Sequence, residues 1–490
     1  MEFFGHVIDG HEVESADGAR MDSIDPYTRQ AWSSVALGTA VDAERAVAAA
    51  RGAFDEGPWP RMGYAERQAA LHRLGDAIEA HGAELARADS HDMGKPIKDA
   101  LHADVPRSAW NFRFFADHAR LSTGEALPSD TGHHIYSRFE PAGVVAAIAP
   151  WNFPLMLETW KIAPALAWGN TVVLKPAEDT PASGTILGRL AIEAGLPSGV
   201  LNVVHGYGPD SAGQALTESR DVDRITFTGE SGTGKIIMRA ASSNLTPCSL
   251  ELGGKGANLV FADADLDNAV HWSIRAIFHN AGQVCLAGSR LYVQRPVYDE
   301  FLARFVAAAE ALKLGDPGDE NTDMGPLASE EHYGKVRGYV ESVAADGGKI
   351  LSGGMGDGWF CRPTIIVDTP PDSRVAREEI FGPVVVVRPF DTEAEAVALA
   401  NGTRFGLNAM LFTENLSRAH RVAAALEAGT VWVNCFFIRD LRAPFGGFGE
   451  SGVGREGGNF SREFFTEPKA VVMQLSGAEE IEPPDQDAWS

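Results

Sequence analysis

The sequence of 490 residues predicts an α/β protein that contains two doubly wound regions. Short apolar runs at 143–149, 171–174, 200–204 and 224–227 alternate with helical patterns, and a second alternation begins near Leu259. Strands that alternate with helices are typical of mostly parallel sheets covered by helices on both faces. Ligands bind such sheets beyond the carboxyl ends of their strands, so we expect the functional residues there.

The segment before the first of these strands is mainly helical. Residues 1–40 predict short strands and turns, and helices are expected over 42–54, 65–88 and 107–120. The helix over 65–88 is a single amphipathic one, because its leucine and isoleucine residues recur at helical spacing. Residues 121–140 are polar and turn-rich without a helical period, which predicts a protruding ribbon or a linker.

The remaining elements follow from the same periodicities. In the first region these are helices at 161–168, Ala182–Glu193 and 234–241. In the second region they are strands at 290–293 and 384–387 and helices at 265–278, 297–312, 330–345, 393–401 and 417–427. The acidic, proline-bearing residues 477–490 predict a mobile tail.

The composition excludes several classes of protein. With 44% hydrophobic residues and a net charge of −25, the chain is expected to be globular and to bind no nucleic acid, since that would need a basic surface. Four widely spaced cysteines form neither a disulfide framework nor a metal-binding pattern, which indicates a reducing cytoplasm and no metal. A signal-peptide pattern and an apolar run of roughly 20 residues are both absent, so no membrane partner is expected.

One cysteine stands in a sequence that suits a reactive thiol. Cys285 follows Gly282 and Gln283 and precedes the small residues Ala287 and Gly288, which leave room for a reactant to approach the sulfur. A nucleophilic thiol in a tight turn is one interpretation. A buried, inert cysteine that packs as a small hydrophobe is the other. The rest of the chain decides between them.

A glycine-rich stretch resembles a nucleotide-binding loop without meeting its requirements. Residues 229–235 match G-x-x-x-x-G-K between a strand and a helix. Ile236 replaces the Ser or Thr that would hold magnesium, and Glu230 would repel phosphate, so an ATP or GTP site is disfavoured. The turn can still offer backbone N–H groups to a pyrophosphate. The fingerprint G-x-G-x-x-G is absent from the first strand–helix turn.

Three further stretches carry side chains that could assist a thiol. Asn152 lies in a proline-stiffened loop after a strand, where its amide could donate to an oxyanion. Lys175 and Glu178 follow the next strand, and Glu251 lies among apolar residues, where desolvation would make it a better base. Each has a structural alternative: a loop-capping Asn, a surface ion pair and a solvated Glu.

Taken together, the motifs of the chain resemble those of the aldehyde dehydrogenase superfamily. The resemblance extends from about residue 5 to about residue 475, and the motifs occur in the family's order. They are Pro150-Trp151-Asn152-Phe153-Pro154, Lys175-Pro176-Ala177-Glu178, Phe227-Thr228-Gly229, Glu251-Leu252-Gly253-Gly254-Lys255, Gly282-Gln283-Val284-Cys285, Glu379-Ile380-Phe381-Gly382-Pro383 and Pro444-Phe445-Gly446-Gly447.

The resemblance implies a domain organisation and an assembly. Two Rossmann-like domains are expected, with NAD binding in 1–120 and 141–251 and catalysis in 252–463. Residues 121–140 and 464–476 would form a small β arm for oligomerisation, which by analogy implies a homodimer or homotetramer.

The resemblance also implies a role for each motif residue. Cys285 would be the nucleophile, Asn152 with the Cys285 backbone N–H would form the oxyanion hole, and Glu251 would activate water to hydrolyse a thioester. Lys161 and Glu456 resemble a proton relay behind Glu251, with a structural ion pair as the alternative. The cofactor NAD would be bound by Ile148, Trp151, Lys175, Glu178, Gly229, Ser231, Glu379 and Phe381. Glu178 favours NAD over NADP, because a carboxylate repels a 2′-phosphate.

Two arginines suggest what kind of aldehyde would react. Arg107 and Arg439 lie in segments that resemble the 2-hydroxymuconate and 2-aminomuconate semialdehyde dehydrogenases, whose substrates carry a carboxylate. Arginine forks suit carboxylates. Structural ion pairs, Arg439 with Asp440 for example, are the alternative. Two other functions stay open: a dehydrogenase for another acidic or aromatic aldehyde, such as 5-carboxymethyl-2-hydroxymuconate semialdehyde, and a catalytically silent binding protein on the same fold.

Overall fold

The structure is a computed structural model that describes residues 1–130 and 132–475. The predicted mobile tail at 477–490 lies outside these residues. Two large sheets with helices on both faces dominate the described part, which confirms the predicted α/β class. None of the helices in these ranges is long and apolar enough to cross a membrane.

The first sheet has eight strands, of which the five central ones are parallel. In spatial order they are Gly452–Val453, Cys248–Glu251, Arg224–Thr228, Val144–Ile148, Thr171–Lys175, Leu201–Val203, His6–Ile8 and His11–Val13. Alternate side chains of the strand Val144–Ile148 enter two different hydrophobic clusters, because successive residues of a strand point to opposite faces. The helices that cover the two faces are Ala40–Asp55, Tyr64–Ala80, Gly82–Met93, Val105–Leu121, Pro154–Ala167, Ala182–Glu193, Ala212–Glu218 and Ser231–Ser242.

The second sheet has seven strands, and only its edge strand Lys349–Met355 is antiparallel to its neighbour. The strands in order are Lys349–Met355, Cys361–Val367, Val384–Phe390, Arg290–Gln294, Ala257–Val260, Asn408–Phe412 and Thr430–Val433. Its helices are Leu266–Phe278, Tyr298–Glu310, Glu330–Ser342, Arg374–Arg377, Glu393–Ala400 and Leu416–Ala425. The helix Gly458–Phe465 packs instead on Val105–Leu121 and Pro154–Ala167 of the first region.

Three smaller sheets complete the described fold. The strands Ala126–Leu127, His133–Pro141 and Thr466–Gln474 form one of them, so the two segments of the predicted arm pair with each other. The others contain Glu2–Phe4, Arg20–Asp25 and Gln30–Ala36, and Phe405–Gly406 with Phe448–Gly449. Short helical turns cover Trp59–Arg61, Ile97–Asp99, Ala100–Asp104, His279–Gly282 and Arg295–Val297.

The prediction of a single helix over 65–88 is wrong. The chain forms two helices, Tyr64–Ala80 and Gly82–Met93, which meet at His81. His81 leaves the helical conformation with φ −99° and ψ 17°. Gly82 then packs closely on Val105, where a β-carbon would lie 3.1 Å from Val105 Cγ1. Tertiary packing and the low helix propensity of glycine therefore override an unbroken apolar period.

The proposed domain boundaries stay a prediction, but the sheets show one connection between the two regions. The strand Gly452–Val453, from the region predicted to be catalytic, pairs antiparallel with Cys248–Glu251 at the edge of the first sheet. The backbone N–H of Leu252 donates to Ser451 O at 2.9 Å. Glu251 is therefore held between the strand Arg224–Thr228 and the strand Gly452–Val453, which comes from much later in the chain.

Candidate active site

The carboxyl ends of the parallel strands meet at one edge of the first sheet. Ile148 pairs with Lys175 and with Phe227, and Thr228 pairs with Glu251. The segments that leave these strands therefore start side by side. They carry Trp151, Asn152, Glu178, Gly229 and Ser231, most of the residues expected at the site from the first half of the chain.

Cys285 follows a turn with an unusual backbone. Asn280 and Ala281 each have φ 53°, and Gly282 has φ 70°. At Gly282 only a glycine fits, because a β-carbon would lie 2.2 Å from Gly382 O. The Gln283 side chain fixes the turn from within: its Nε2 donates to Asn280 O at 3.1 Å, and its Oε1 accepts from the Ala328 N–H at 2.9 Å. Cys285 itself is partly exposed.

Two hydrogen bonds join the loop of Asn152 to this turn. Asn152 is buried, and its Nδ2 donates to Gln283 O at 2.9 Å. In return, Asn280 Nδ2 donates to Asn152 O at 2.8 Å. The two loops come from different sheets, so these bonds fix the amide that was expected to serve an oxyanion beside the segment that carries the thiol.

Glu251 is a buried carboxyl without a hydrogen-bond partner for either oxygen among the described residues. Burial raises its pKa well above the usual value, and the charge of Glu456 raises it further. Lys161, Arg439 and Arg455 oppose this shift. Gly446 leaves space beside the carboxyl, because a β-carbon there would lie 2.8 Å from Glu251 Oε1.

The residues that follow Glu251 in the chain lie against Cys285. A β-carbon at Gly254 would lie 2.4 Å from Cys285 O, so the chain that follows Glu251 runs against the cysteine backbone. Burial raises the pKa of the Cys285 thiol to about 12, with smaller contributions from the charges of Glu379 and Glu251. Arg439 acts in the opposite direction on both the thiol and Glu251.

Lys161 and Glu456 form a buried ion pair. Lys161 Nζ lies 3.3 Å from Glu456 Oε1, which also accepts a hydrogen bond from Thr226 Oγ1 at 3.2 Å. The other oxygen, Oε2, accepts from the indole N–H of Trp160. The structural ion pair, one of the two predictions for these residues, is thus present. The proton relay stays a prediction, and the charges of both residues act on Glu251.

Glu379 and Phe381 lie on the side of the site formed by the second sheet. Glu379 Oε1 accepts from the Gly254 N–H at 2.7 Å, and a β-carbon at Gly253 would lie 2.1 Å from its Oε2. Burial raises the pKa of Glu379 to about 7. The rings of Phe381 and Trp151 meet edge to face, with centroids 5.2 Å apart. An aromatic wall and a carboxylate therefore stand next to the Gly-Gly pair.

Lys175 and Glu178 meet beyond the strand Thr171–Lys175. Lys175 Nζ donates to Pro176 O at 3.0 Å and lies 3.4 Å from Glu178 Oε2. Glu178 is exposed, while the Lys175 side chain is buried. An exposed carboxylate beside a buried ammonium group suits the hydroxyl groups of a ribose, which both donate and accept hydrogen bonds.

The glycine-rich stretch 229–235 is a turn into the helix Ser231–Ser242. Lys235 Nζ pairs with Glu450 Oε2 at 2.9 Å, and Glu230 pairs with Lys335 at 2.7 Å. The lysine of the apparent nucleotide-binding motif therefore binds a carboxylate. Gly229 lies just before this helix, and Ser231 is its first residue. The N-terminus of the helix still presents backbone N–H groups that suit a pyrophosphate.

Arg107 and Arg439 both lie near the indole ring of Trp160. Arg439 Cζ is 4.8 Å from the ring centre of Trp160 and 3.7 Å from that of Phe445. Arg107 Cζ is 5.9 Å from Trp160, and its Nε donates to Asn111 Oδ1 at 3.2 Å. Burial lowers the pKa of Arg107 to about 10, and the charge of Arg439 adds to this shift.

The alternative prediction, that these arginines form structural ion pairs, is wrong for the described residues. Neither guanidinium lies within 4 Å of a carboxylate in 1–130 or 132–475. Asp440 pairs instead with Arg442, at 2.6 Å. Two neighbouring guanidiniums without an ion-pair partner among the described residues suit a bound anion in a chain of net charge −25, although the charges of Glu251 and Glu456 also act on Arg439.

Comparison with known proteins identifies the family. The model of the aldehyde dehydrogenase family matches residues 13–471. The chain belongs to the aldehyde dehydrogenase family. It is 48% identical to the 2-hydroxymuconic semialdehyde dehydrogenase of Pseudomonas sp. (strain CF600), over 97% of this chain and 100% of that protein. It is 43% identical to a 2-aminomuconic 6-semialdehyde dehydrogenase of Pseudomonas sp., over 97% and 99%.

A solved structure of an aldehyde dehydrogenase has the same fold. The NAD⁺ complex of the Bacillus cereus aldehyde dehydrogenase superposes with a TM-score of 0.95 at 40% identity, covering 97% of each chain. This agreement confirms the mixed α/β fold with parallel sheets that the sequence predicts.

Sequence reasoning missed four residues that shape this aldehyde dehydrogenase site. Asn280 and Gln283 hold the loop of Asn152 through hydrogen bonds, Gly446 gives space to Glu251, and Trp160 contacts both Glu456 and Arg439. Asn280 and Gln283 stand in the stretch around Cys285, and Gly446 lies in a motif named above. Nothing in the sequence distinguishes Trp160 from a core tryptophan of its helix.

Proposed function

We propose that this aldehyde dehydrogenase oxidises an aldehyde to a carboxylic acid with NAD, through a thioester on Cys285. The observation that carries the proposal is Glu251: a buried carboxyl with both oxygens unpartnered among the described residues, on a segment that runs against the Cys285 backbone. A structural glutamate would be hydrogen-bonded at this burial. A water base must instead keep its oxygens free for substrate water.

In this proposal the Cys285 sulfur adds to the aldehyde carbon and the carbonyl oxygen becomes an oxyanion. Asn152 Nδ2 carries two N–H bonds, of which one donates to Gln283 O, and the second serves the oxyanion. The Cys285 backbone N–H is the other donor. The thiol is a neutral group in the free protein, because burial raises its pKa to about 12. Its proton therefore has to leave when the aldehyde is attacked. In the proposed reaction it passes to Glu251 and from there to solvent, and the positive charge of Arg439 favours that loss.

Bound NAD supplies the hydride acceptor, and the residues around the Gly-Gly pair fit its two riboses. Glu379 would accept from one ribose, and Lys175 with Glu178 would bind the other, beside Ile148. Gly229, Ser231, Trp151 and Phe381 would line the cleft between them. Glu178 supports a preference for NAD over NADP, since it is exposed and anionic where a 2′-phosphate would lie.

Glu251 then removes a proton from water, and the resulting hydroxide attacks the thioester. The carbon–sulfur bond breaks, the released thiolate of Cys285 takes up the proton that Glu251 removed from water, and the acid leaves and ionises. The balance is one aldehyde, one NAD⁺ and one water consumed for one carboxylate, one NADH and two protons. Lys161 and Glu456 are the proposed exit route for the proton from Glu251, because they form an ion pair and the charges of both act on the Glu251 carboxyl.

We propose further that the aldehyde carries a distal carboxylate, as the semialdehyde relatives' names suggest for those proteins. Arg107 and Arg439 support this, because neither has a counter-ion among the described residues and each is held against an aromatic face. A carboxylate between two guanidiniums forms charge-assisted hydrogen bonds, which are stronger than neutral ones. 2-Hydroxymuconate 6-semialdehyde or 2-aminomuconate 6-semialdehyde is the proposed substrate.

The test is a panel of aldehydes with NAD, matched in size and differing in a distal carboxylate. NADH should form in equal amounts with acid, and Cys285→Ala should abolish its formation while NAD binding persists. Arg439→Leu should raise KM for the carboxylated aldehydes by roughly 10- to 100-fold, the worth of a charge-assisted hydrogen bond. It should leave KM for neutral aldehydes within about twofold.

Arg442→Leu is the matched control, because Arg442 lies three residues after Arg439 on the same loop and pairs with Asp440. Equal effects of Arg439→Leu on both kinds of aldehyde would refute the carboxylate site. Turnover that persists in Cys285→Ala would refute the nucleophile.

We also propose a homodimer or homotetramer in the cytoplasm. The arm strand Thr466–Gln474 supports an assembly, since Val472 and Met473 are 60% and 46% exposed. Large apolar side chains that are exposed on both faces of a strand are typical of surfaces that contact another chain. Four free cysteines support a reducing compartment.

A further inference from the structure

Trp160 connects the two halves of the proposed reaction. It is 4% exposed, on the helix Pro154–Ala167 directly before Lys161. Its indole N–H donates to Glu456 Oε2, while its ring faces the guanidiniums of Arg439 and Arg107. Phe115 packs against the ring at 5.4 Å, which limits its movement. A single side chain thus touches the proposed carboxylate site and the carboxyl group that borders Glu251.

Glu456 depends on three donors for its position. Trp160 binds Oε2, whereas Lys161 and Thr226 bind Oε1 at 3.3 and 3.2 Å. Removing the indole N–H would leave Oε2 without a described donor in a buried site, where a lost hydrogen bond to a charged group is costly. The carboxylate would then be free to rotate about its remaining contacts. Any such rotation changes the distance between two negative charges, those of Glu456 and Glu251.

We propose that Trp160 is a positioning residue that holds Glu456 for hydrolysis of the thioester and, with its ring, holds Arg439 for the distal carboxylate. The proposal rests on the function proposed above, because it assigns its two effects to two steps of that reaction. The N–H serves hydrolysis and the ring serves substrate binding. The two effects are separable, since phenylalanine retains an aromatic face and lacks the donor.

The experiment compares Trp160→Phe, Trp160→Leu and Trp168→Phe in the full-length protein, with a carboxylated and a neutral aldehyde. Trp168 is the matched control: it follows the same helix, is buried, and its indole N–H has no partner among the described residues. Trp168→Phe therefore removes the same atoms without removing a hydrogen bond. Rapid mixing measures the first turnover of NADH, and the steady state measures hydrolysis.

Trp160→Phe should lower the steady-state rate roughly tenfold, the cost of a hydrogen bond to a charged acceptor. It should retain a first turnover near one NADH per active site and a KM within about threefold of the parent. Trp160→Leu should add a rise in KM for the carboxylated aldehyde and none for the neutral one. Trp168→Phe should resemble the parent in all three quantities.

Thr226→Val keeps the position of Glu456 testable if Trp160→Phe does not fold. It removes another donor to Glu456, together with an acceptor of Lys161, and leaves the arginines untouched, so it should lower the steady-state rate without changing KM. Where Trp160→Phe folds, the same change made in Glu456→Gln should add little, because the two act through one bond.

Equal behaviour of Trp160→Phe and Trp168→Phe would overturn the positioning role. So would a fall in the first turnover as large as the fall in the steady state. Failure of the proposed function is distinguishable from both, since the unaltered protein would then form no NADH from any aldehyde.

Discussion

At the scale of single residues, the proposed role of Glu251 depends on apolar neighbours and on free space beside its carboxyl. Leu250 and Leu252 are buried beside it, and Gly446 contributes no side chain next to its Oε1. Burial without hydrogen bonds keeps the pKa of the carboxyl high, so the group is a stronger base than an exposed glutamate once ionised. Space and desolvation are therefore both part of the proposed water site.

Gly446→Ala tests whether this space is needed. The new β-carbon would lie 2.8 Å from Glu251 Oε1 and 2.9 Å from Gly454 O, and φ 148° at this position disfavours any side chain. We expect the steady-state rate to fall by more than tenfold, a cost of about 1–3 kcal/mol for clash and strain. The first turnover of NADH should fall less, because it precedes attack by water.

Gly52→Ala is the control for this change, because Gly52 lies in the helix Ala40–Asp55 with open space around its Cα. An unchanged steady state in Gly446→Ala would contradict the role given to Glu251.

The sequence predicts residue identities at the site better than it predicts their contacts. Cys285, Asn152 and Glu251 were expected together from their motifs. The hydrogen bonds that join the Asn152 loop to the Cys285 turn, through Asn280 and Gln283, depend on three residues with positive φ. The sequence does not predict this turn, since two of the three residues are Asn and Ala. Likewise, the Arg439–Asp440 pair that adjacency suggested as the alternative does not form, because Asp440 pairs with Arg442 on the same loop.

At the scale of elements, the turn after the strand Cys248–Glu251 places three groups at once. Gly253 and Gly254 pass between the carboxyl of Glu379 and the backbone of Cys285, closer than any side chain would permit. The Gly254 N–H donates to Glu379 Oε1 at 2.7 Å. The turn therefore sets the position of the proposed ribose-binding carboxylate relative to the nucleophile.

Gly253→Ala should separate cofactor binding from the thiol. A β-carbon 2.1 Å from Glu379 Oε2 must displace that carboxylate, so we expect KM for NAD to rise roughly tenfold, the worth of one hydrogen bond to a charged group. Alkylation of Cys285 by iodoacetamide in the absence of NAD should change less than twofold. The measurement is a titration of NAD at saturating aldehyde.

Gly338→Ala, in a helix with open space at Gly338, is the control. A KM for NAD equal to that of the parent would exclude Glu379 from cofactor binding.

Most elements could be predicted because period and composition agree. The helix Ala182–Glu193 has the predicted ends, and the parallel strands overlap the predicted apolar runs, although Thr171–Lys175 and Arg224–Thr228 each extend one residue further. The helix expected at 161–168 begins earlier, at Pro154, because proline is favoured in the first turn of a helix. The pairing of Gly452–Val453 with Cys248–Glu251 could not be predicted, since two residues carry no period.

At the scale of the whole molecule, three buried carboxyls affect stability. Asp89, Asp92 and Glu158 are each about 1% exposed, and burial raises the pKa of Asp89 and of Asp92 from 3.8 to about 7. The pKa of Glu158 is raised well above its usual value for the same reason. The folded chain therefore binds protons that the unfolded chain has lost, and its free energy of unfolding falls as pH rises from about 4 to about 7.

Asp89→Asn should reduce the fall in the free energy of unfolding that occurs as pH rises. The amide is neutral at every pH, so we expect the free energy of unfolding to rise by roughly 1–3 kcal/mol at pH 8 and to change little at pH 4. Denaturant titrations at the two pH values measure this difference. Lys95 opposes the gain, because its charge favours ionised Asp89.

Glu193→Gln removes an exposed carboxylate from the helix Ala182–Glu193 and is the control. A variant Asp89→Asn that is destabilised equally at both pH values would contradict the pH argument.

The central claim is that an acyl group forms on Cys285 and that Glu251 removes it, and one experiment addresses both parts. Glu251→Gln is mixed rapidly with NAD and a carboxylated aldehyde, NADH is followed, and the quenched protein is analysed by mass spectrometry. We predict a burst of about one NADH per active site, a steady state lower by at least 10²-fold, and an acyl adduct on Cys285. Sustained turnover at the parent rate, or an adduct on any other residue, would contradict the account.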